Sequence, residues 1–333
     1  MEDLDDFELA ERAIREWIDS YEGWDEEFPE ESTKKRRKRE EKIDCWASAW
    51  GQLIRHPEVS DCNSAKGKLF RRRFRVPFPL FNEILVPICR QKNIFKTQRK
   101  SRIDIEFKIL LVLRILGRGN CADDINEFIP AIGHSTINTI FHVFCQNFVS
   151  EFYSKYVNVP TGKQMKKVME VYSRLGLPGA MGSMDCTHVR WDRCPRQFTN
   201  HCVGKEGFPT LAFQVVVDHS RRIHHVSRYF FGACNDQQIT NNDTYPREFM
   251  QGRYRKVTYE LKTSTGRTVK VSGGYLIVDG GYQKYVVFIN PMHSRMSRDA
   301  VLWSEWMESV RKDVECTFGI LKVSLISDVV CTR

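Results

Sequence analysis

The chain has 333 residues, 41% of them hydrophobic, and a formal net charge of +9, which suits about two domains with real cores. Its longest apolar candidate, Ile109 to Leu116, is interrupted by Arg114 and falls well short of the ~20 residues of a membrane span, so no membrane partner is expected. Eleven cysteines without a secretory leader fit a reducing compartment and free thiols, and their odd number argues against a complete disulfide framework.

Charge is unevenly distributed. Residues 1–31 hold fourteen Asp/Glu against two Arg, a net −12, so with +9 on the whole chain the remainder carries +21. A body that basic points to a polyanion, nucleic acid first, with ordinary solubility charge as the alternative. The acidic segment itself reads as a short helix or a disordered tail that screens the basic body or recruits a partner. Next come Lys34, Lys35, Arg36, Arg37, Lys38 and Arg39, a run that matches a monopartite nuclear import signal and places the chain in the nucleus. We take 1–43 as one tail.

Residues 44–160 read as a helical domain. Lys66, Lys68, Arg71, Arg72, Arg73 and Arg75 interleave with Phe70 and Phe74, a pattern for phosphate contact on a buried aromatic stem or for a purely structural edge. A helix is expected near Leu80 to Cys89. Ile105, Ile109, Val112 and Leu116 recur at helical spacing, with Gly117 and Gly119 as the stop. A short helix over Asp123 to Ile129 and a third capped by Ser135 or Thr136 complete the outline of a DNA-binding helix-turn-helix. The third helix has no Lys or Arg between Gly133 and Ser154, so only Asn138, His142 and Gln146 offer base contacts, and solvent exposure explains them equally well.

From Leu177 the periodicity changes. Gly179 to Val189, Thr210 to Asp218, Arg222 to Phe231, Tyr275 to Val278 and Tyr285 to Ile289 read as strands. A polar insert over 236–272 reads as loops or a small subdomain. Trp303, Trp306, Val310, Val314, Phe318 and Leu321 then mark one stripe of a long helix. Strands followed by helices indicate an α+β fold with a mixed sheet over 177–323.

Three acids stand out against this frame. Asp185 lies on the first strand, Asp279 precedes Gly280-Gly281 at the end of an apolar strand, and Glu315 lies beside the stripe of the late helix. Acids so distributed can assemble a two-metal phosphodiester site, with hard oxygen ligands for two Mg²⁺ or Mn²⁺ ions ~4 Å apart. Asp185 is the expected bridging ligand. Arg311, one turn before Glu315, can pair with it or contact phosphate. Asp236 is a supporting candidate or an Asx-turn residue, and His188, three residues along a strand from Asp185, belongs on the opposite face as a space-filler. Cys186, His188, Cys194, His201 and Cys202 lack the spacings of a zinc site.

Four segments carry a resemblance: Gly182 to His188, Phe231 to Asp236, Val278 to Tyr282, and Val314 to Lys322. In order and spacing they resemble PIF/Harbinger-type transposases, the plant transposon proteins or DDE superfamily endonucleases. That resemblance implies an RNase H-like core carrying an Asp-Asp-Glu triad, metal-dependent cutting and joining of transposon ends and target DNA, and a separate Myb-like DNA-binding partner. Paired-end cutting suggests a homodimer by analogy. Family members continue past the last motif, whereas 324–333 reads as a divergent tail, which suggests C-terminal truncation. The alternatives are a catalytically inactive or domesticated DNA-binding derivative and an RNase H-like nuclease acting on RNA.

Overall fold

The computed structural model describes residues 44–96, 103–129, 132–192, 194–263, 265–292 and 297–322. The run Lys34 to Arg39 and the tail 324–333 lie outside them.

The first half is helical: α1 (Ala49–Arg55), α2 (Ala65–Phe74), a wide turn over Leu80–Leu85 that continues into α3 (Val86–Gln91), α4 (Ile105–Arg118), α5 (Ala122–Phe128), α6 (His134–Tyr156) and α7 (Gly162–Arg174). Side chains of Ser48 and Ser64 accept hydrogen bonds from the backbone N–H groups of Gly51 and Gly67, capping α1 and α2. Helix α4 is apolar on nearly every side, and Ile109, Leu110, Leu111 and Val112 are fully buried at the centre of this region. Phe70 and Phe74, one turn apart on α2, bury completely and pack with Trp50 and Phe81.

Two helix boundaries differ from expectation. Gly117 lies inside α4, where the Arg75 side chain packs against it, and Gly119, at φ 63°, ends the helix in the left-handed conformation. Gly133 is the N-cap of α6, and Ser135 and Thr136 lie inside its first turn, where Thr139 Oγ1 donates to the Ser135 carbonyl.

The second half is a mixed sheet built from β1 (Ala180–Arg190), β2 (Thr210–Val217), β3 (Ile223–Val226), β7 (Tyr275–Ile277) and β8 (Phe288–Ile289), in the order β3-β2-β1-β7-β8, with β4 (Phe230–Phe231) adding to β2. β1, β2 and β3 are antiparallel, whereas β7 runs parallel to β1 and β8 parallel to β7. The expected strand 222–231 is two strands because Ser227 breaks the ladder: its Oγ accepts from the Gln214 N–H at 2.9 Å. β8 is shorter than the apolar run that suggested it. The short helix α8 (Thr199–Cys202) precedes β2. The polar insert holds α9 (Asp236–Asn242), α10 (Thr244–Met250) and a separate hairpin, β5 (Thr258–Lys262) with β6 (Thr268–Ser272).

Helix α11 (Arg298–Leu321) covers one face of the sheet, with Val314 and Phe318 on Val215 and Val217. On the other face Tyr245 and Phe249 of α10 pack with Met184, Val216 and Leu276. The buried stripe of α11 runs through Met307, Val310, Val314 and Phe318, while Trp306 is 49% exposed and donates from Nε1 to the Leu175 carbonyl. The fold is therefore mixed α and β, with the mixed sheet that the strand pattern indicated. No helix among the described residues is long and apolar enough to cross a membrane.

Candidate active site

Asp185 lies on β1, the central strand, opposite Val215 of β2. This register turns it toward α11, whose Arg311 donates from Nη1 to Asp185 Oδ2 at 2.7 Å and from Nη2 to Glu315 Oε1 at 2.7 Å. Arg311 therefore joins two of the three expected acids, which do not touch each other. The Cys186 N–H donates to Asp185 Oδ1 at 2.8 Å. Burial pushes the Asp185 carboxyl above its ordinary value, outweighing the lowering by Arg311 and the Cys186 amide, and nearby Asp279 pushes it the same way.

Asp279 begins the turn after β7. Its Oδ1 accepts from the Gly281 N–H at 2.7 Å, and Asn290 donates to its carbonyl, fixing the turn. A Cβ on Gly281 would lie 3.1 Å from both Asp279 Oδ1 and Asp236 Oδ2, so two carboxylates flank one glycine and a side chain there would crowd both. Asp236 thus stands closer to the group than its sequence context indicated. Asn235, not Asp236, makes the local cap by accepting from the Gln238 N–H, which leaves the Asp236 carboxylate free to face Asp279. Burial and Asp279 hold the Asp236 carboxyl above its ordinary value, against Lys205 and His188.

Glu315 is exposed on α11 and reaches the group through Arg311. His188 is half-buried, its Nδ1 3.0 Å from Thr210 Oγ1, and burial and Lys205 lower its pKa. As expected from strand alternation it lies on the face opposite Asp185. It lines a cavity instead of merely filling space.

Carboxylates are the donors hard divalent ions take, so the chemistry of Asp185, Asp279, Asp236 and Glu315 fits Mg²⁺ or Mn²⁺. In the arrangement described, a guanidinium supplies the positive charge beside Asp185, and among the described residues no three or more His, Cys, Asp or Glu side chains form a group poised to hold a metal ion. The ten described cysteines are all free thiols.

Residues 154–330, just over half of the chain, match the family described as plant transposon protein. The chain belongs to this family. The matched region contains every strand of the described residues and all four acids. No curated protein and no solved structure matches the chain.

Outside the family match, the basic patch on α2 is larger than the sequence suggested. Arg114 and Arg118 of α4 donate to the carbonyls of Arg73 and Arg72, and Arg75 Nε donates to the Gly117 carbonyl at 3.1 Å. Burial, Arg118, Arg73 and Arg75 together lower the Arg114 pKa, the signature of crowded cations. Lys68, Arg71, Arg72 and Arg75 are exposed, with Lys66 and Arg73 half-buried. No local pattern in the sequence linked the two helices. Helix, turn, helix is present in α5 and α6, but α6 is 23 residues long, and its Tyr153 hydroxyl donates to the Val226 carbonyl of β3, tying it to the sheet. His142 and Gln146 are exposed and Asn138 is half-buried.

Proposed function

We propose that this chain is a transposase-type DNA endonuclease of PIF/Harbinger kind with an RNase H-like core, and that Asp185, Asp279 and Glu315 are its metal-binding triad. The observation that carries the reading is the convergence of Asp185, Asp279 and Asp236 around the middle of β1 and the turn after β7, in a chain of a transposon-protein family. Two Mg²⁺ or Mn²⁺ ions at these carboxylates would supply Lewis acidity for phosphodiester cleavage. The acids supply oxygen donors and, through Asp279 and its Gly281 turn, a site into which backbone and DNA approach closely. Arg311 competes with a cation for Asp185 Oδ2, and once displaced it stays within reach of a phosphate. The mixed sheet with Asp185 on its central strand supports the RNase H-like assignment.

In this reading the partners are transposon-end and target DNA, a separate Myb-like DNA-binding protein and a second copy of the chain, and the site of action is the nucleus. The cations of α2 and α4 contact DNA phosphates; α6 presents too few donors to read sequence alone, which motivates the separate partner. The test is nicking of supercoiled plasmid with Mg²⁺ or Mn²⁺ by the chain, Asp185→Asn and Glu315→Gln. Nicking that requires metal and disappears in both variants supports the triad; equal nicking by all three refutes it. A second reading, a DNA-binding derivative without catalysis, draws on the Arg311 bridge that occupies an oxygen of each of two acids. It predicts gel retardation of DNA without nicking.

A further inference from the structure

β7 stops opposite Ser183, and the remaining β1 partners, from Met184 to Arg190, all lie on β2. Beyond Ser183 the other edge of β1 therefore has no strand beside it among the described residues. Along this edge runs a cavity of about 400 Å³, walled by Cys186, Thr187, His188 and Arg190 of β1, by Lys205 and Phe208 of the loop before β2, and by Phe318 and Lys322 at the end of α11. Successive β1 residues face it because a bare strand edge exposes both of its faces. Lys205 and Lys322, with Arg190 paired to Asp192, give it a positive wall beside the carboxylate of Glu206. The Arg190 guanidinium lies over the Phe208 ring, 4.9 Å from its centroid, a flat surface at the mouth. The Thr187 hydroxyl is buried without a hydrogen-bond partner and belongs to the wall. Cys186, the neighbour of Asp185 on β1, lines the cavity, so the cavity adjoins the carboxylates.

We propose that this groove takes one unpaired nucleotide of the DNA strand adjoining the bond cut at the carboxylates, its two flanking phosphates on Lys205 and Lys322 and its base on the Arg190–Phe208 stack. The proposal rests on the endonuclease reading for the position of the cut. The volume is at the small end of ligand pockets, ~300–1,000 Å³, suited to one nucleotide and not to a stacked duplex. Taking a nucleotide out of a duplex costs pairing and stacking, and stacking on a flat side chain returns part of that cost. Opening therefore becomes accessible where the cations also hold the phosphates.

The experiment compares the chain with the Lys205→Ala/Lys322→Ala double variant, in EDTA so that nothing is cut. Probes are a short single-stranded oligonucleotide, its duplex, and the duplex with 2-aminopurine at successive positions. Both lysines are exposed, so folding is unaffected, which a matching melting temperature checks. Two lost phosphate contacts should weaken single-strand binding about tenfold and reduce the salt slope by about 1.4. One 2-aminopurine position should brighten with the wild-type chain and stay dark with the variant. Unchanged affinity and slope overturn the proposal, as does equal weakening on single strand and duplex with no position brightening. Failure of the endonuclease reading has a different signature: no metal-dependent nicking by the wild-type chain while the binding difference persists.

Discussion

Replacing Asp185 by Asn separates a chemical role from a structural one. The Asp185 side chain is 19% exposed and its Arg311 partner 11%. Burial nevertheless raises the carboxyl above its ordinary 3.8. A folded-state value above the unfolded one means that folding takes up protons. The cost of ionising Asp185 is thus absent below 3.8, grows as pH rises through the interval up to the folded value, and is complete above it, at about 1.4 kcal/mol for each tenfold difference in proton affinity between the two states. In the Asp185→Asn variant the new amide would keep the bond from the Cys186 N–H, and Arg311 would keep Glu315. The loss is one charge-assisted bond of ~1.5–3 kcal/mol, and the gain is relief from burying a charge. The two nearly cancel, so Asp185→Asn should change stability at neutral pH by no more than about 1 kcal/mol and flatten the decline that begins as pH rises above 3.8. Loss of a metal-binding oxygen worth several kcal/mol at the transition state should cut nicking by ~10³ or more. Urea unfolding followed by tryptophan fluorescence at several pH values, beside plasmid nicking, measures both. A stability loss of ~3 kcal/mol or more, as for a broken buried ion pair, would refute the reasoning and make Asp185 an anchor for α11.

Three further outcomes follow from the packing. Asp218→Ala should cost about 2–4 kcal/mol at neutral pH, because the carboxylate accepts from Ser220 N, Ser220 Oγ, Arg222 N and the His224 ring. Burial alone would raise the Asp218 carboxyl, but these donors hold it well below 3.8, so its contribution is present above 3.8 and fades as pH falls through the folded value; the gap between wild type and variant should narrow in acid unfolding curves. Gly281→Ala should leave stability within about 1 kcal/mol, since Gly281 is exposed. Its methyl would press on Asp236 and Asp279 at 3.1 Å, so nicking should fall at least ~10-fold; unchanged nicking would remove both carboxylates from the site. Trp50→Ala should lose ~3–5 kcal/mol in denaturant unfolding, because Trp50 is 1% exposed and packs edge-on against Phe74.

What the sequence disclosed depended on the range of the interaction. Strands β1 and β2 and the late helix were legible because burial on a sheet or along a helix repeats at a fixed period, and the acids at 185, 279 and 315 were legible as interruptions of that apolar pattern. The approach of Asp236 to Asp279 was not, because it depends on where two loops meet around Gly281. Arg114 and Arg118 joining the α2 arginines likewise depends on the packing of α2 against α4. The long strand expected over 222–231 failed on one hydroxyl, since Ser227 makes with its side chain a bond the ladder would have made with backbone. The stripe of α11 was one position off near its start, where Met307 buries and Trp306 turns out to reach Leu175.

Asp185 and Asp218 show why the site differs from the framework around it. Both lie at the same sheet, in or directly after its two central strands, and both are largely withdrawn from water. The chain surrounds Asp218 with four donors and lowers its pKa, so ionisation favours the fold. Asp185 receives one backbone N–H and one guanidinium shared with Glu315, and its pKa rises. An ionised Asp185 is therefore under-satisfied, with two further acids, Asp279 and Asp236, adding to the local negative charge. A fold selected for stability alone would supply the missing donors or remove the charge. Concentrating unsatisfied carboxylates around the central strand makes sense if an external cation completes them, and the stability given up locally is what would make its binding favourable.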